Sequence, residues 1–210
     1  MQLAIIGTGG VGAAVGLKWS QCGHSVTYGS RDPDQPRLRT LLEQCGASAR
    51  VAAPRQAAAD AEVILLAVPW PVARQTLEQL GSMAGRTLID CTNPLLGDLS
   101  GIEVGHLTSA AEQIAAWAPG AHVVKAFNTA SVKVLRDPRF GDYRATMFYC
   151  GDWAPAKATV HRLIEDVGFE AVDAGGLVCA RYLEPLAMLY IQLAVRQGWG
   201  SNCAFKIMKR

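Results

Sequence analysis

The stretch AIIGTGGVG, residues 4–12, constrains this chain more than any other. Glycines stand at Gly7, Gly9 and Gly12, directly behind an apolar run at residues 3–6 and ahead of a helical pattern at residues 10–20. Strand, glycine turn and helix in that order open a dinucleotide-binding unit, and each glycine has its own task. Gly7 permits the tight turn, Gly9 lets the backbone approach a pyrophosphate, and Gly12 lets the helix pack close to the strand. The helix N-terminus then offers free N–H groups and a positive dipole end to phosphates. The alternative is a glycine-rich turn that holds no ligand.

Strands and helices continue to alternate along the chain. A second strand covers residues 25–29. Residues 32–61 are mixed, with Pro33 and Pro36 breaking the start and an Ala-rich helix near 55–60. The continuous apolar run 63–68 suits a parallel strand covered on both faces. Pro69-Trp70-Pro71 ends it, a helix follows at 72–80, and a strand at 87–90 leads into a Gly-rich loop at 93–108. Ser109 and Glu112 form a capping box for a helix that reaches Trp117. Further strands are expected at 121–126, 146–150 and 170–173, with a helix at 154–167 capped by Asp152. The pattern closes on one long helix at 178–197, broken or kinked near Pro185. The expected fold is α/β: a Rossmann-type, doubly wound, mostly parallel sheet with a short C-terminal helical segment. Residues 1–150 are the nucleotide-binding core and residues 151–210 a small segment packing on it, effectively one compact unit.

The second strand ends YGSRD, residues 28–32. An NAD-binding unit places a carboxylate there, to accept from the ribose 2′-hydroxyl. Here the place holds Gly29, Ser30 and Arg31. A guanidinium fork and a short hydroxyl suit a 2′-phosphate, so the expected cofactor is NADP(H). The alternative is a solvated Arg31, with Asp32 pairing with it or serving the ribose itself.

Composition narrows the field. Of 210 residues, 50% are hydrophobic and 18% charged, as in an ordinary folded protein. A net charge of +2 without any Lys/Arg run is too small to suggest a nucleic-acid partner, and none is expected. The six cysteines (Cys22, Cys45, Cys91, Cys150, Cys179, Cys203) form no C-x-x-C. They read as reduced thiols of a cytoplasmic protein, and no metal-ligand cluster is found. A strand that begins at residue 3 leaves no room for a signal peptide. The uncharged stretch 185–195 is short of the ~20 residues of a membrane helix, so no membrane partner is expected.

Six segments together resemble one family: IIGTGGVG, GHSVTYGSR, LLAVPW, IDCTNPL, VVKAFNT and VDAGGLVCAR, spread over residues 3–181. The chain resembles the NADPH-dependent deazaflavin (coenzyme F420) reductases, a domain type shared with the cytosolic part of six-transmembrane metalloreductases. The resemblance implies that Gly7, Thr8, Gly9, Gly10, Val11 and Gly12 hold the pyrophosphate, with Thr8 donating its hydroxyl. It implies Ser30 and Arg31 at the 2′-phosphate. Ala67, Val68, Pro69 and Trp70 would pass beneath the cofactor. Asn93, Pro94, Ala126, Phe127 and Asn128 would line the nicotinamide end. The family's lysine after the Ser-Arg pair is replaced by Gln35, with Arg37 as a possible substitute. Asn93-Pro94 and Phe127-Asn128 are closer to the metalloreductase branch.

Hydride transfer to a flavin or deazaflavin ring needs no strong side-chain acid. Reduction of an imine or carbonyl needs a proton donor, and the candidate is Lys125, at the end of an apolar strand. Its alternative is a lysine that pairs with a carboxylate or reaches solvent. Cys91, next to the expected nicotinamide, is a redox thiol or a small buried residue. The four histidines are scattered, and His106 in the Gly-rich loop is the least bland. Only 60 residues follow Cys150, which suits an open, shallow acceptor site bordered by Ala174-Gly175-Gly176. Leu183, Leu186, Leu189, Tyr190 and Leu193 make the last helix apolar almost all round, a homodimer seam or a core helix. The expected activity is hydride transfer between NADPH and a flavin or deazaflavin. The alternatives are an NADPH-dependent reductase of a small imine or carbonyl, and an NADP(H) sensor without turnover.

Overall fold

The computed structural model describes residues 1–210. Its first unit is β1 (Gln2–Ile6), α1 (Gly10–Gln21), β2 (Ser25–Gly29), α2 (Pro36–Cys45), β3 (Ala49–Ala52) and α3 (Pro54–Ala59). The second unit begins with β4 (Val63–Leu66), α4 (Trp70–Leu80), β5 (Thr87–Asp90), α5 (Ala110–Trp117) and β6 (His122–Lys125). Then come α6 (Val132–Arg136), the hairpin β7 (Arg139–Phe140) and β8 (Tyr143–Arg144), β9 (Thr146–Gly151), α7 (Ala154–Val167), β10 (Glu170–Asp173) and α8 (Ala180–Ile191).

Eight strands form one sheet in the order β10-β9-β6-β5-β4-β1-β2-β3. The strands from β3 across to β6 are parallel to their neighbours. β9 runs antiparallel to β6, and β10 runs parallel to β9. The winding direction reverses between β1 and β4, the switch point where such sheets open a crevice. Alternate residues of the central strands feed two cores. Leu3, Ile5, Leu65 and Ile89 meet Val15 and Trp19 on one face. Ala4, Ile6, Ile64 and Leu88 meet Ala73, Leu77 and Ile114 on the other. The expected doubly wound, mostly parallel fold is present.

Three local expectations are corrected. The mixed stretch 32–61 holds α2 and β3 ahead of the expected Ala-rich helix, which is α3; Pro36, read as a break, instead starts α2 at a position whose N–H has no partner anyway. Asp152 does not cap α7; its carboxylate accepts the Leu177 N–H at 2.7 Å, and Trp153 takes the cap position without a side-chain bond. Pro185 does not break the last helix: α8 runs through it and continues to Arg196. Buried Leu183 and Ala187 on either side hold that helix against the core. Residue 150 lies inside β9, and one sheet carries strands from both sides of it.

The helical run Leu177–Arg196 spans 20 residues and has the length and composition to cross a membrane. It is longer than the uncharged stretch alone, because it includes Arg181 and Glu184. Both bind the body of the protein: Arg181 grips Glu112 through two hydrogen bonds of 2.9 and 2.7 Å, and Glu184 meets Lys125 at 2.8 Å.

Candidate functional site

The residues just past the central strands stay hydrogen-bonded to their neighbours, so their turns form one rim. Ser30 N–H donates to Ala52 O (3.0 Å), Ala67 N–H to Ile6 O (2.7 Å), Cys91 N–H to Leu66 O (3.3 Å) and Ala126 N–H to Asp90 O (3.0 Å). The glycine turn sits at the middle of that rim. Gly7 has φ +105°, and a Cβ there would lie 2.2 Å from Ala67 O. On Gly12 a Cβ would lie 2.0 Å from Gly7 O, and on Gly16 it would strike the Tyr28 hydroxyl at 2.5 Å. Gly9 differs: a Cβ there would meet no protein atom within 4 Å. Its backbone faces open space ahead of the α1 N-terminus, whose first turn has no acidic residue.

A cleft of about 400 Å³ opens over this turn. Of the residues expected at a cofactor, Gly7, Thr8, Gly9, Ser30, Arg31, Ala67, Val68 and Pro69 line it. Ser30 is held in place by its own turn: its Oγ donates to Asp32 O (2.7 Å) and accepts the Asp32 N–H (3.2 Å). Arg37 joins from α2. Its Nε donates to Gln35 Oε1 at 2.8 Å and its Nη2 reaches Thr8 Oγ1 at 3.5 Å. Two guanidinium groups (Arg31, Arg37) and three hydroxyls (Thr8, Ser30, Thr76) therefore border one cleft, and no carboxylate lines it. Asp32 does not pair with Arg31; its carboxylate accepts the Asp34 N–H at 3.3 Å. Gln75, Thr76 and Gln79 of α4 also line the cleft and escaped the sequence reading. Their signal is a polar stripe beside the apolar positions Ala73, Leu77 and Leu80.

These features fit a 2′-phosphorylated dinucleotide. The backbone at Gly9 leaves room for a diphosphate that a side chain would fill. The helix N-terminus and the arginines supply compensating positive charge.

Other expected residues are elsewhere. Trp70 is 8% exposed and stacks on Trp117 at 5.3 Å, so its ring joins α4 to α5 and does not line the cleft. Gly10 faces Val132, where a Cβ would lie 2.7 Å from Cγ2. Neither Gly10 nor Val11 lines the cleft. Asn93, Pro94, Ala126, Phe127 and Asn128 follow β5 and β6, farther along the rim and outside the cleft lining. The Ala126 and Phe127 side chains are in the core, and Phe127, at φ +62°, meets Trp19 edge-on. Asn93 and Asn128 bind each other. Asn93 Nδ2 donates to Asn128 O (2.9 Å) and Asn128 Nδ2 to Asn93 Oδ1 (3.1 Å) and Leu183 O (3.0 Å).

Lys125 is not placed to protonate a substrate. Its side chain is 0% exposed, with Nζ 2.8 Å from both Asp90 and Glu184. Burial works against the ammonium, but the two carboxylates outweigh it and hold its pKa above the ordinary value. The lysine pairs with carboxylates, and both partners escaped the sequence reading. Cys91 is buried, its thiol donating to Leu66 O at 3.0 Å, and burial pushes its pKa up, away from a thiolate. His106 is exposed, at φ +62°, and does not line the cleft.

Known proteins resemble this chain over most of its length. The profile of a family described as "NADP oxidoreductase coenzyme F420-dependent" matches residues 2–94. The F420-dependent NADP reductase of Methanothermobacter marburgensis is 30% identical over 210 residues, covering 93% of this chain and 93% of the relative. The metalloreductase STEAP3 of Rattus norvegicus is 32% identical over 191 residues, 90% of this chain; the chain spans only 37% of that relative. A crystal structure from Arthrobacter, of a protein named for F420-dependent NADP reduction, is 31% identical. It superposes with a TM-score of 0.89 and full coverage of both chains.

Proposed function

The chain belongs to the family of F420-dependent NADP reductases, and from that premise we propose that it passes hydride between NADP(H) and a deazaflavin- or flavin-type ring. It is an NADP-dependent oxidoreductase. The observation that carries the reading is the carboxylate-free cleft ahead of α1, bordered by Arg31 and Arg37.

In this reading the α1 N-terminus and the Gly7–Gly9 backbone hold the diphosphate. Ser30, Arg31, Arg37 and Thr8 hold the 2′-phosphate. Ala67, Val68 and Pro69 form the floor, and Asn93, Pro94 and Asn128 flank the nicotinamide, with Ala126 and Phe127 behind them. NADPH, when bound, supplies a hydride. The chain's own work is to fix the orientation of two flat rings and to exclude water, which such a transfer chiefly requires. The burial of Lys125 speaks against a small imine or carbonyl, whose reduction needs a proton donor within reach.

The acceptor is a soluble small molecule, and no nucleic-acid or membrane partner enters the reading. Six free cysteines support a reducing compartment, the cytoplasm. Tyr182 and Leu189, seven residues apart on one face of α8 and exposed at 74% and 49%, support a homodimer through that face.

The test is anaerobic oxidation of NADPH by the purified protein against coenzyme F420, FMN, FAD and riboflavin, with NADH as the control donor. Turnover with one acceptor, much slower with NADH, is the expected result. Tight NADPH binding with no turnover on any acceptor counts against the flavin-type reading.

A further inference from the structure

We infer that the buried triad Lys125–Asp90–Glu184 is the positioning element for the nicotinamide end of the cleft, an inference that rests on the NADP(H) reading above. Lys125 closes β6, Asp90 closes β5 and Glu184 comes from α8, and all three side chains are 0% exposed. The lysine Nζ contacts Asp90 Oδ2 at 2.8 Å, Glu184 Oε1 at 2.8 Å and the Thr92 carbonyl at 2.6 Å. Asp90 in turn accepts the Thr92 N–H at 2.8 Å. Thr92 is thus clamped through both its backbone groups, one residue before Asn93. Lys125 is itself the residue from which the turn Ala126-Phe127-Asn128 departs.

The third arm reaches the same place. Glu184 accepts the N–H groups of Ala110 and Ala111 at 2.9 and 3.1 Å, so it also caps α5. The residue before it, Leu183, accepts from Asn128 Nδ2 at 3.0 Å. Both asparagine-bearing turns are therefore referred to one point in the interior, and the last helix is tied to that point by consecutive residues.

The fold alone does not call for such a group. A buried ion triad exchanged for apolar side chains of similar volume is often neutral or more stable. What charge and directed hydrogen bonds add is a position fixed from within for the starts of both turns. Thr92 Oγ1 and Asn128 Oδ1, both buried, find no hydrogen-bond partner in the protein, so these turns are not arranged for internal satisfaction alone.

The test compares two ligands on Lys125→Met and on the milder Glu184→Gln, which keeps an oxygen for the α5 cap. NADPH carries a nicotinamide; adenosine 2′,5′-bisphosphate carries only the adenosine end. The expected result is a Kd for NADPH weakened by about tenfold, with that of the bisphosphate changed by less than about twofold. Equal changes for both ligands, or none for either, overturn the inference and leave the triad a stabilising group. Wild-type protein that binds neither ligand overturns the NADP(H) reading along with it. Should neither variant fold, hydrogen exchange on the wild type decides. NADP⁺ must slow exchange at residues 92–93 and 126–129 more than the bisphosphate does, and equal protection overturns the inference.

Discussion

Gly12 lies so close beneath the Gly7 carbonyl that a Cβ on Gly12 would come within 2.0 Å of that oxygen, whereas a Cβ on Gly9, in the same turn, would touch nothing. The two glycines answer to different constraints. Gly12→Ala should lower stability by about 2–4 kcal/mol, because backbone must move. Gly9→Ala should stay within about 0.5 kcal/mol of the wild type and still weaken NADPH binding about tenfold or more. Calorimetric unfolding and cofactor titration on both variants separate the two. A Gly9→Ala protein that binds normally would remove the diphosphate from this turn.

Arg31 and Arg37 should discriminate between cofactors. A charge-assisted hydrogen bond contributes about 1.5–3 kcal/mol, so Arg31→Ala and Arg37→Ala should each weaken NADPH binding about ten- to a hundredfold. NADH binding should barely change. The loss should also shrink in high salt, since screening weakens the wild-type contacts themselves. Equal losses for the two cofactors would sink the 2′-phosphate assignment.

The Glu112–Arg181 pair gives a pH dependence of known sign. The two-point hydrogen bond from Arg181 holds the Glu112 carboxyl below its ordinary value. A carboxylate lowered in the folded state adds stability that is full above the unfolded pKa, about 4.3, and is lost as pH falls through the lowered folded value. Glu112→Gln should therefore cost about 1–2 kcal/mol at pH 7 and progressively less below about pH 4. Urea unfolding of both proteins at several pH values checks this; a difference that grows toward acid contradicts it.

The exposed face of the last helix should govern assembly. Tyr182→Glu combined with Leu189→Glu places two charges on a face that carries apolar groups. Sedimentation should show a wild-type dimer and a monomeric double variant of unchanged fold. A wild-type protein that is monomeric at tens of micromolar removes the homodimer.

Much of this site was legible because it depends on local chemistry. A turn that needs φ > 0 at Gly7 and contact at Gly12 leaves its mark within nine residues, and the Ser30-Arg31 pair lies at a fixed place after β2. Seven of the eight sheet strands were legible, β4 most plainly from its continuous apolar run; β3, short and only partly buried, was not. The helix begun by Pro36 was not, since proline starts and stops helices with equal ease when position is unknown, whereas the Ala-rich run after Pro54 made α3 readable. The triad was missed for another reason: its members come from β5, β6 and α8, distant segments, and no spacing rule joins them. A signal was nonetheless present. Glu184 is a lone carboxylate in an apolar helix and Lys125 a lone cation closing an apolar strand, and two charges without solvent must find each other. Trp70 was misplaced because an aromatic at a strand end reads equally as ligand platform or as helix packing, and only Trp117 decides it.

The position of Glu184 also sets an order of events as the chain is made. The strands with Asp90 and Lys125 leave the ribosome before α8, and N-terminal portions begin to fold as they emerge. Until the last helix arrives, Lys125 has one carboxylate instead of two, and the first turn of α5 has no cap from Glu184. The sheet can form early, but its rim at Asn93 and Asn128 cannot set until residue 184 has docked. Competence to hold the far end of the cofactor therefore comes later than the sheet and its glycine turn.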